Sequence, residues 1–235
     1  MPSWSIHLKV AKDINKELGL DKDLFLLGNT IPDVGKNWDI TKRKSHYYSE
    51  TRFPECPDEL LIDIDEFLND YKFYLDDPLV MGYYVHLLVD NYFNRYTYTK
   101  KYVQKDGKVL GYTDKDGNLV PMEGQQDRMH VKQHDFELFG KELFKEGEVE
   151  VPQHSKEYVN SMRYFYFLEP NIVYDRVEYL NNEFKDFNKI EEGDDYKMYS
   201  REELENVLKG CEEHILGIIK GKDNDEGEVS KGSRR

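Results

Sequence analysis

Apolar residues recur at every third or fourth position along most of the 235-residue chain, and this spacing constrains the fold more than any other feature. Residues spaced in this way lie on one face of an α-helix, and that face must be buried against other elements. The pattern therefore predicts a mainly α multi-helix bundle in a single domain over residues 1–220. We expect helices at residues 4–18, 58–74, 77–98, 127–146, 155–168, 171–184 and 200–220.

Glycine, proline and aspartate mark the places where helices begin or stop. Asp77 followed by Pro78 is a typical helix start. The segment 28–33 contains both Gly and Pro and is expected to be a loop. Two Asp-Gly pairs predict a small β-hairpin or meander inserted around residues 102–121. The charged, glycine-rich segment 221–235 has no apolar face and is expected to be a disordered tail.

The composition narrows the class of protein. Lys and Arg number 33 against 47 Asp and Glu, so the formal net charge is −14. This charge disfavours a long nucleic acid as a partner, because its phosphates would be repelled. No apolar run reaches the roughly 18 residues of a transmembrane helix, and no secretory signal is visible, so we expect a cytoplasmic protein without a transmembrane segment. The sequence indicates no oligomeric state.

His86 and Asp90 are the clearest candidates for chemistry. They lie four residues apart in a predicted helix, so their side chains share one face and can reach one cation. Asp90 falls on an otherwise apolar stripe, where an unpaired carboxylate is costly and a metal ion would remove that cost. The alternative is an ordinary His–Asp ion pair.

Three further polar residues are candidates, although each has an ordinary structural explanation on its own. His7 lies on the apolar face of the first helix, where a histidine is commonly a core residue. Asp33 follows Pro32 and would suit a helix N-cap or an Asx-turn. His46 alone is a histidine in a polar segment.

The order and spacing of these five residues match a known family. His7, the segment Gly-Asn-Thr-Ile-Pro-Asp at 28–33, His46 and the pattern Gly-Tyr-x-x-His-x-x-x-Asp at 82–90 follow one another in the chain. This arrangement resembles the bacterial zinc-dependent phospholipase C family, whose helical fold is shared by a group of nucleases. The resemblance covers about residues 1–140.

The resemblance implies a helical metal-binding domain that holds two or three divalent ions, usually zinc, with iron or manganese as alternatives. Asp33, His46, His86 and Asp90 would hold one ion, and Asp90 would bridge to a second ion that His7 also binds. Asp33 would also orient the attacking water as the candidate catalytic base. The implied activity is hydrolysis of a small phosphodiester, phosphomonoester or phospholipid-like molecule by a metal-activated water.

The chain departs from the family pattern at two places. The secreted members begin, after processing, at a Trp whose amino group and carbonyl bind metal, whereas Trp4 is internal here. The third ion of the family commonly uses a His-x-x-x-Glu pair, and the sequence after Asp90 contains none. His134, and with it Asp135, is the candidate ligand of a third ion in preference to His130. A solvated polar face is the alternative explanation.

Two other functions fit parts of the sequence. An HD-type phosphohydrolase would use His134-Asp135 as its paired ligands, with His86 and Asp90 as partners. A non-catalytic helical protein would keep a structural metal and use its long last helix as a docking surface.

Overall fold

The computed structural model describes residues 2–33, 40–53, 56–122, 124–153, 178, 182 and 195–229. These residues form a mainly α fold with small antiparallel sheets, which confirms the predicted fold class. Within these ranges, no helix combines the length and the apolar character that crossing a membrane requires. The helices are α1 (Trp4–Leu18), α2 (Lys22–Thr30), α3 (Ile40–Ser45), α4 (Ile64–Tyr71), α5 (Pro78–Tyr96), α6 (Gln125–Lys145) and α7 (Arg201–Val229).

The strands form two separate sheets. A two-stranded hairpin consists of β1 (Tyr48–Phe53) and β2 (Cys56–Ile62), and a three-stranded meander consists of β3 (Tyr102–Lys105), β4 (Lys108–Thr113) and β5 (Leu119–Pro121). The meander confirms the predicted insertion around residues 102–121. Its first turn places Asp106 and Gly107 at positive φ (52° and 75°), the conformation that an Asp-Gly pair favours. The first hairpin was not anticipated from the sequence.

Helix α1 has the predicted bounds and buries the predicted face. Ile6, Val10 and Ile14 are fully buried, and His7 lies on the same face. Gly19 ends the helix at φ 66°, and its N–H donates to the carbonyl of Asn15 at 2.8 Å. The helix therefore carries a polar side chain into the core within its first turn.

The prediction of a loop at 28–33 is wrong, because the first half of this segment belongs to α2, which packs closely against α5. The segment continues α2 as far as Thr30 and ends in a 3-10 turn, Ile31–Asp33. A Cβ atom on Gly28 would lie 1.9 Å from the carbonyl oxygen of Leu79, and one on Gly82 would lie 2.1 Å from that of Phe25. These glycines serve helix packing rather than a turn, because only a residue without a side chain allows the two backbones to approach so far.

The helix predicted at 58–74 is shorter in the structure. Residues up to Ile62 belong to β2, and α4 begins at Ile64 because Asp63 caps it, accepting a hydrogen bond from the N–H of Glu66 at 2.9 Å. A 3-10 turn, Lys72–Tyr74, follows Tyr71. Helix α5 starts as predicted, with Asp77 accepting from the N–H of Leu79 and Pro78 in the first turn.

Helix α7 packs against both α1 and α5. It begins as predicted, with the Ser200 hydroxyl accepting from the N–H of Glu203 at 3.1 Å. Its backbone continues to Val229, beyond the predicted end at residue 220, and no proline interrupts this stretch. The helices predicted at 155–168 and 171–184 lie outside the described residues, except that residues 178 and 182 are described and helical. The end of the predicted tail, 230–235, also lies outside them. The buried side chains of α7 are Leu204, Val207, Leu208, Cys211, Ile215 and Ile219.

The substitution Gly82→Ala should destabilise the fold, because its new methyl group would meet the backbone of α2 rather than a side chain that can move. Overpacking of this kind costs about 1–3 kcal/mol. Gly217→Ala is the matched control, since nothing lies within 4 Å of a Cβ there and alanine stabilises an exposed helix by about 0.5–1 kcal/mol. Chemical denaturation of both variants measures the difference, and equal stability of the two would contradict the close crossing.

The contact between α1 and α7 should make stability depend on pH. Burial, together with the carboxylate of Asp13, raises the pKa of Glu212 from 4.5 to about 7. The folded state therefore binds the Glu212 proton more tightly than the unfolded state, and stability should fall as pH rises from about 5 to about 7. Glu212→Gln should flatten this fall, whereas Glu213→Gln, at an exposed position, should leave it unchanged. Free energies of unfolding across this pH range provide the test, and an unaltered slope in Glu212→Gln would reject it.

Candidate metal centre

Five predicted residues converge on one buried cluster. His7 comes from α1, Asp33 from the 3-10 turn after α2, His46 from the residue after α3, and His86 and Asp90 from α5. All five are buried, and Asp33, at 8% exposed, is the most accessible. Ligand atoms lie within 4.8 Å of one another in two overlapping groups, one of His7, His86 and Asp90 and one of Asp33, His46 and His86. The sequence-based set of primary ligands is therefore brought together.

Asp90 lies at the centre of the cluster and contacts histidines through both of its oxygens. Its Oδ1 is 3.3 Å from His7 Nε2, whereas its Oδ2 is 3.6 Å from His46 Nε2 and 3.6 Å from His86 Nε2. Asp33 contacts the same side, with Oδ1 at 3.3 Å from His46 Nε2 and Oδ2 at 3.9 Å from His86 Nε2. One carboxylate thus separates His7 from His46.

Ring stacking and one unusual backbone conformation position the histidines of the cluster. The imidazole rings of His7 and His86 stack with centroids 3.9 Å apart and an angle of 5° between their planes, which fixes α1 against α5. Tyr47, the residue after His46, adopts a left-handed φ of 51°. This conformation is uncommon for a residue other than glycine, and such strain is typical of functional sites. Tyr47 lies in the turn between α3 and β1, and His46 beside it is fully buried.

His86 is held in the form that binds a metal through Nε2. Its Nδ1 lies 2.7 Å from the backbone carbonyl oxygen of Asn29. A carbonyl can only accept, so Nδ1 carries the hydrogen and Nε2 carries a lone pair. That lone pair faces the oxygens of Asp90 and Asp33, an arrangement that is repulsive unless a cation or a proton lies between them.

The electrostatics of the cluster argue against a simple ion pair between His86 and Asp90. Burial, followed by the neighbouring His7, lowers the pKa of His86 to about 3, so this ring is neutral at physiological pH. Burial alone would raise the pKa of Asp90, but the contacts with His7, His86 and His46 outweigh it and hold that pKa below its usual range. The cluster therefore places a buried anionic carboxylate beside a buried neutral imidazole, which is costly.

Several buried atoms of the cluster fit a metal. Among the described residues, both ring nitrogens of His7, Nε2 of His86 and both oxygens of Asp90 are buried without a well-directed hydrogen bond. Buried polar groups normally have such partners. Nitrogen and carboxylate donors are the ligands that zinc accepts, so the residues fit divalent metal ions. The two overlapping groups can hold such ions.

His134 and Asp135 do not join this cluster. Asp135 is fully buried and accepts hydrogen bonds from the backbone N–H groups of Lys197, Met198 and Tyr199 at 2.7–3.2 Å. His134 is partly exposed, and its Nδ1 lies 2.9 Å from Asp135 Oδ1. These contacts assign Asp135 a structural role, which is to fix the segment leading into α7. The proposed third ion therefore gains no support from the geometry.

Other groups surround the candidate ligands, and sequence reasoning missed the contacts of Asn29 and Ser45 among them. The Tyr48 ring stacks on His46 at a centroid distance of 5.6 Å, and burial raises its pKa, as do the charges of Asp90 and Asp33, so its hydroxyl stays protonated. The Asn29 carbonyl and the Ser45 hydroxyl contact ring nitrogens of the histidines. The spacing of residues in the sequence does not identify such contacts, because every residue has a backbone carbonyl.

Comparisons of the chain with protein-family models, with curated proteins and with solved structures gave no match. The family resemblance consequently rests on the motif in the sequence, and the function rests on the geometry of the cluster.

The purified full-length protein should contain divalent metal, and His86→Ala and Asp90→Ala should each lose it while the helical circular dichroism signal persists. Removal of a residue that only hydrogen-bonds to a metal ligand lowers metal affinity by roughly 10–100-fold. Removal of a candidate ligand itself should lower the affinity at least as much. His130→Ala removes an exposed histidine on α6 and serves as the control. Elemental analysis measures the metal content, and full retention in both cluster variants would refute the assignment.

Proposed function

We propose that this protein is a metal-dependent hydrolase of phosphate esters. The observation that carries the proposal is the two-sided environment of Asp90, with His7 on Oδ1 and His46 and His86 on Oδ2. A carboxylate with contacts divided in this way would be able to hold one ion on each side. This division agrees with the ligand sets that the resemblance to the zinc-dependent phospholipase C family implies.

In this proposal Asp33, His46, His86 and Asp90 would hold one ion, and Asp90 and His7 would hold a second. Zinc suits the nitrogen and oxygen donors, and the same set accepts iron or manganese. Ions bound at such a site lower the pKa of a coordinated water and neutralise charge on phosphoryl oxygens.

The position of Asp33 supports its proposed role as the base. It is the most exposed of the five residues, so it lies on the side of the cluster nearest to solvent and substrate. Its oxygens lie 3.3 Å from His46 Nε2 and 3.9 Å from His86 Nε2. A carboxylate oxygen there can orient the attacking water and accept its proton, while His46 and His86 remain neutral ligands.

The substrate proposed is small. The net charge of −14 repels a long polyanion, and the near-complete burial of the ligands limits the size of the group that reaches them. A phosphodiester, a phosphomonoester or a phospholipid-like molecule with one phosphate fits both constraints. We propose a cytoplasmic location for this reaction.

A structural metal site is the second candidate function, and the same burial favours it. The HD-type alternative is not favoured, because the oxygens of Asp135 are engaged by backbone N–H groups rather than by the cluster. Turnover separates the two remaining candidates, since a structural metal is held tightly without activity.

The metal-loaded protein should hydrolyse bis(para-nitrophenyl) phosphate or para-nitrophenyl phosphate, and Asp33→Asn should lower kcat by about 100-fold or more. The control Asp106→Asn changes an exposed carboxylate in a turn of the meander and should leave kcat unchanged. Release of para-nitrophenol measures both. Wild-type protein with a full complement of metal and no turnover on either ester would support the structural role instead.

A further inference from the structure

Ser45, the last residue of α3, is buried beside a candidate ligand. It is 1% exposed, and its hydroxyl oxygen lies 2.7 Å from the carbonyl oxygen of Pro32 and 3.1 Å from Nδ1 of His46. The shorter contact has the usual length of a hydroxyl–carbonyl hydrogen bond. Because a carbonyl can only accept, Ser45 donates its proton to Pro32.

The position of this proton determines the tautomer of His46. A serine hydroxyl has one proton, so toward Nδ1 of His46 the Ser45 oxygen can only accept, and Nδ1 must carry hydrogen. A neutral imidazole has a single N–H, which leaves a lone pair on Nε2. That atom lies 3.3 Å from Asp33 and 3.6 Å from Asp90, in the middle of the cluster.

Ser45 also connects chain segments that carry ligands. Its hydroxyl donates to the carbonyl of Pro32, the residue before Asp33, and so links the 3-10 turn to the end of α3. Tyr83 of α5 donates its hydroxyl hydrogen to the backbone carbonyl of Ser45. Ser45 therefore contacts His46, the 3-10 turn that ends in Asp33, and helix α5, which carries Asp90.

We infer that Ser45 is a positioning residue of the candidate metal centre: its hydroxyl selects the Nδ1–H tautomer of His46 and keeps the Nε2 lone pair directed into the cluster, where it would bind an ion. The inference rests on the proposed function, because the tautomer matters when Nε2 binds a metal. Residues behind the ligands commonly orient metal-binding histidines in this way. His86 has a backbone acceptor instead, the Asn29 carbonyl, and provides an internal reference.

Nitrogen NMR of metal-free, full-length protein with labelled histidine tests the tautomer directly. In the wild type, His46 and His86 should both carry hydrogen on Nδ1. In Ser45→Ala, His46 should shift toward the Nε2–H form, which can donate to Asp33, while His86 stays unchanged. Hydrogen on Nε2 of His46 in the wild type would overturn the inference, as would an unchanged His46 in the variant. The wild-type spectrum decides even if the variant fails to fold.

Zinc affinity supplies the second measurement. Competition with a chromophoric chelator should show binding of Zn²⁺ about 10–100-fold weaker in Ser45→Ala. Ser45→Thr keeps the hydroxyl and should restore most of the affinity and the wild-type tautomer. Equal affinity in the wild type and Ser45→Ala would overturn the positioning role. Wild-type protein that has the Nδ1–H tautomer but binds no zinc would instead refute the proposed function, so the two failures are distinguishable.

Discussion

The crossing of α2 over α5 is the constraint on which the candidate metal centre depends. Gly28 and Gly82 let the two backbones approach, and this brings the Asn29 carbonyl to 2.7 Å from Nδ1 of His86. The end of the same helix leads directly into the turn that carries Asp33. The turn that carries Asp33 and the helix that carries His86 are thus held by a close approach of two backbones, which a side chain at either glycine would prevent.

The second determinant is electrostatic. A fully buried Asp90 carboxylate faces Nε2 atoms of His46 and His86, and hydrogen-bond acceptors behind both rings keep the hydrogens on Nδ1. Lone pairs and negative oxygens therefore point at one another across 3.6 Å. Burial makes this arrangement costly, and a divalent ion between the lone pairs and the oxygens would make it favourable.

Much of the centre could be predicted because helical geometry is local. The four-residue spacing of His86 and Asp90 sets their relation, and the motif supplies Asp33 and His46. Contacts across the chain could not be predicted in the same way. Gly28 predicts a loop because the helix it packs against lies far away in sequence. Asp135 suggests a metal ligand because the backbone N–H groups that donate to it have no sequence signature.

The ligands of the cluster are distributed over four separate chain segments, from His7 to Asp90. A site of this kind does not exist in the unfolded chain, so the free energy of binding an ion there would add to the free energy of folding. Folding of the newly made chain would then depend on the free metal concentration in its compartment, through mass action. Scarcity of metal would expose more of the chain to proteolysis, and its abundance would follow the metal supply.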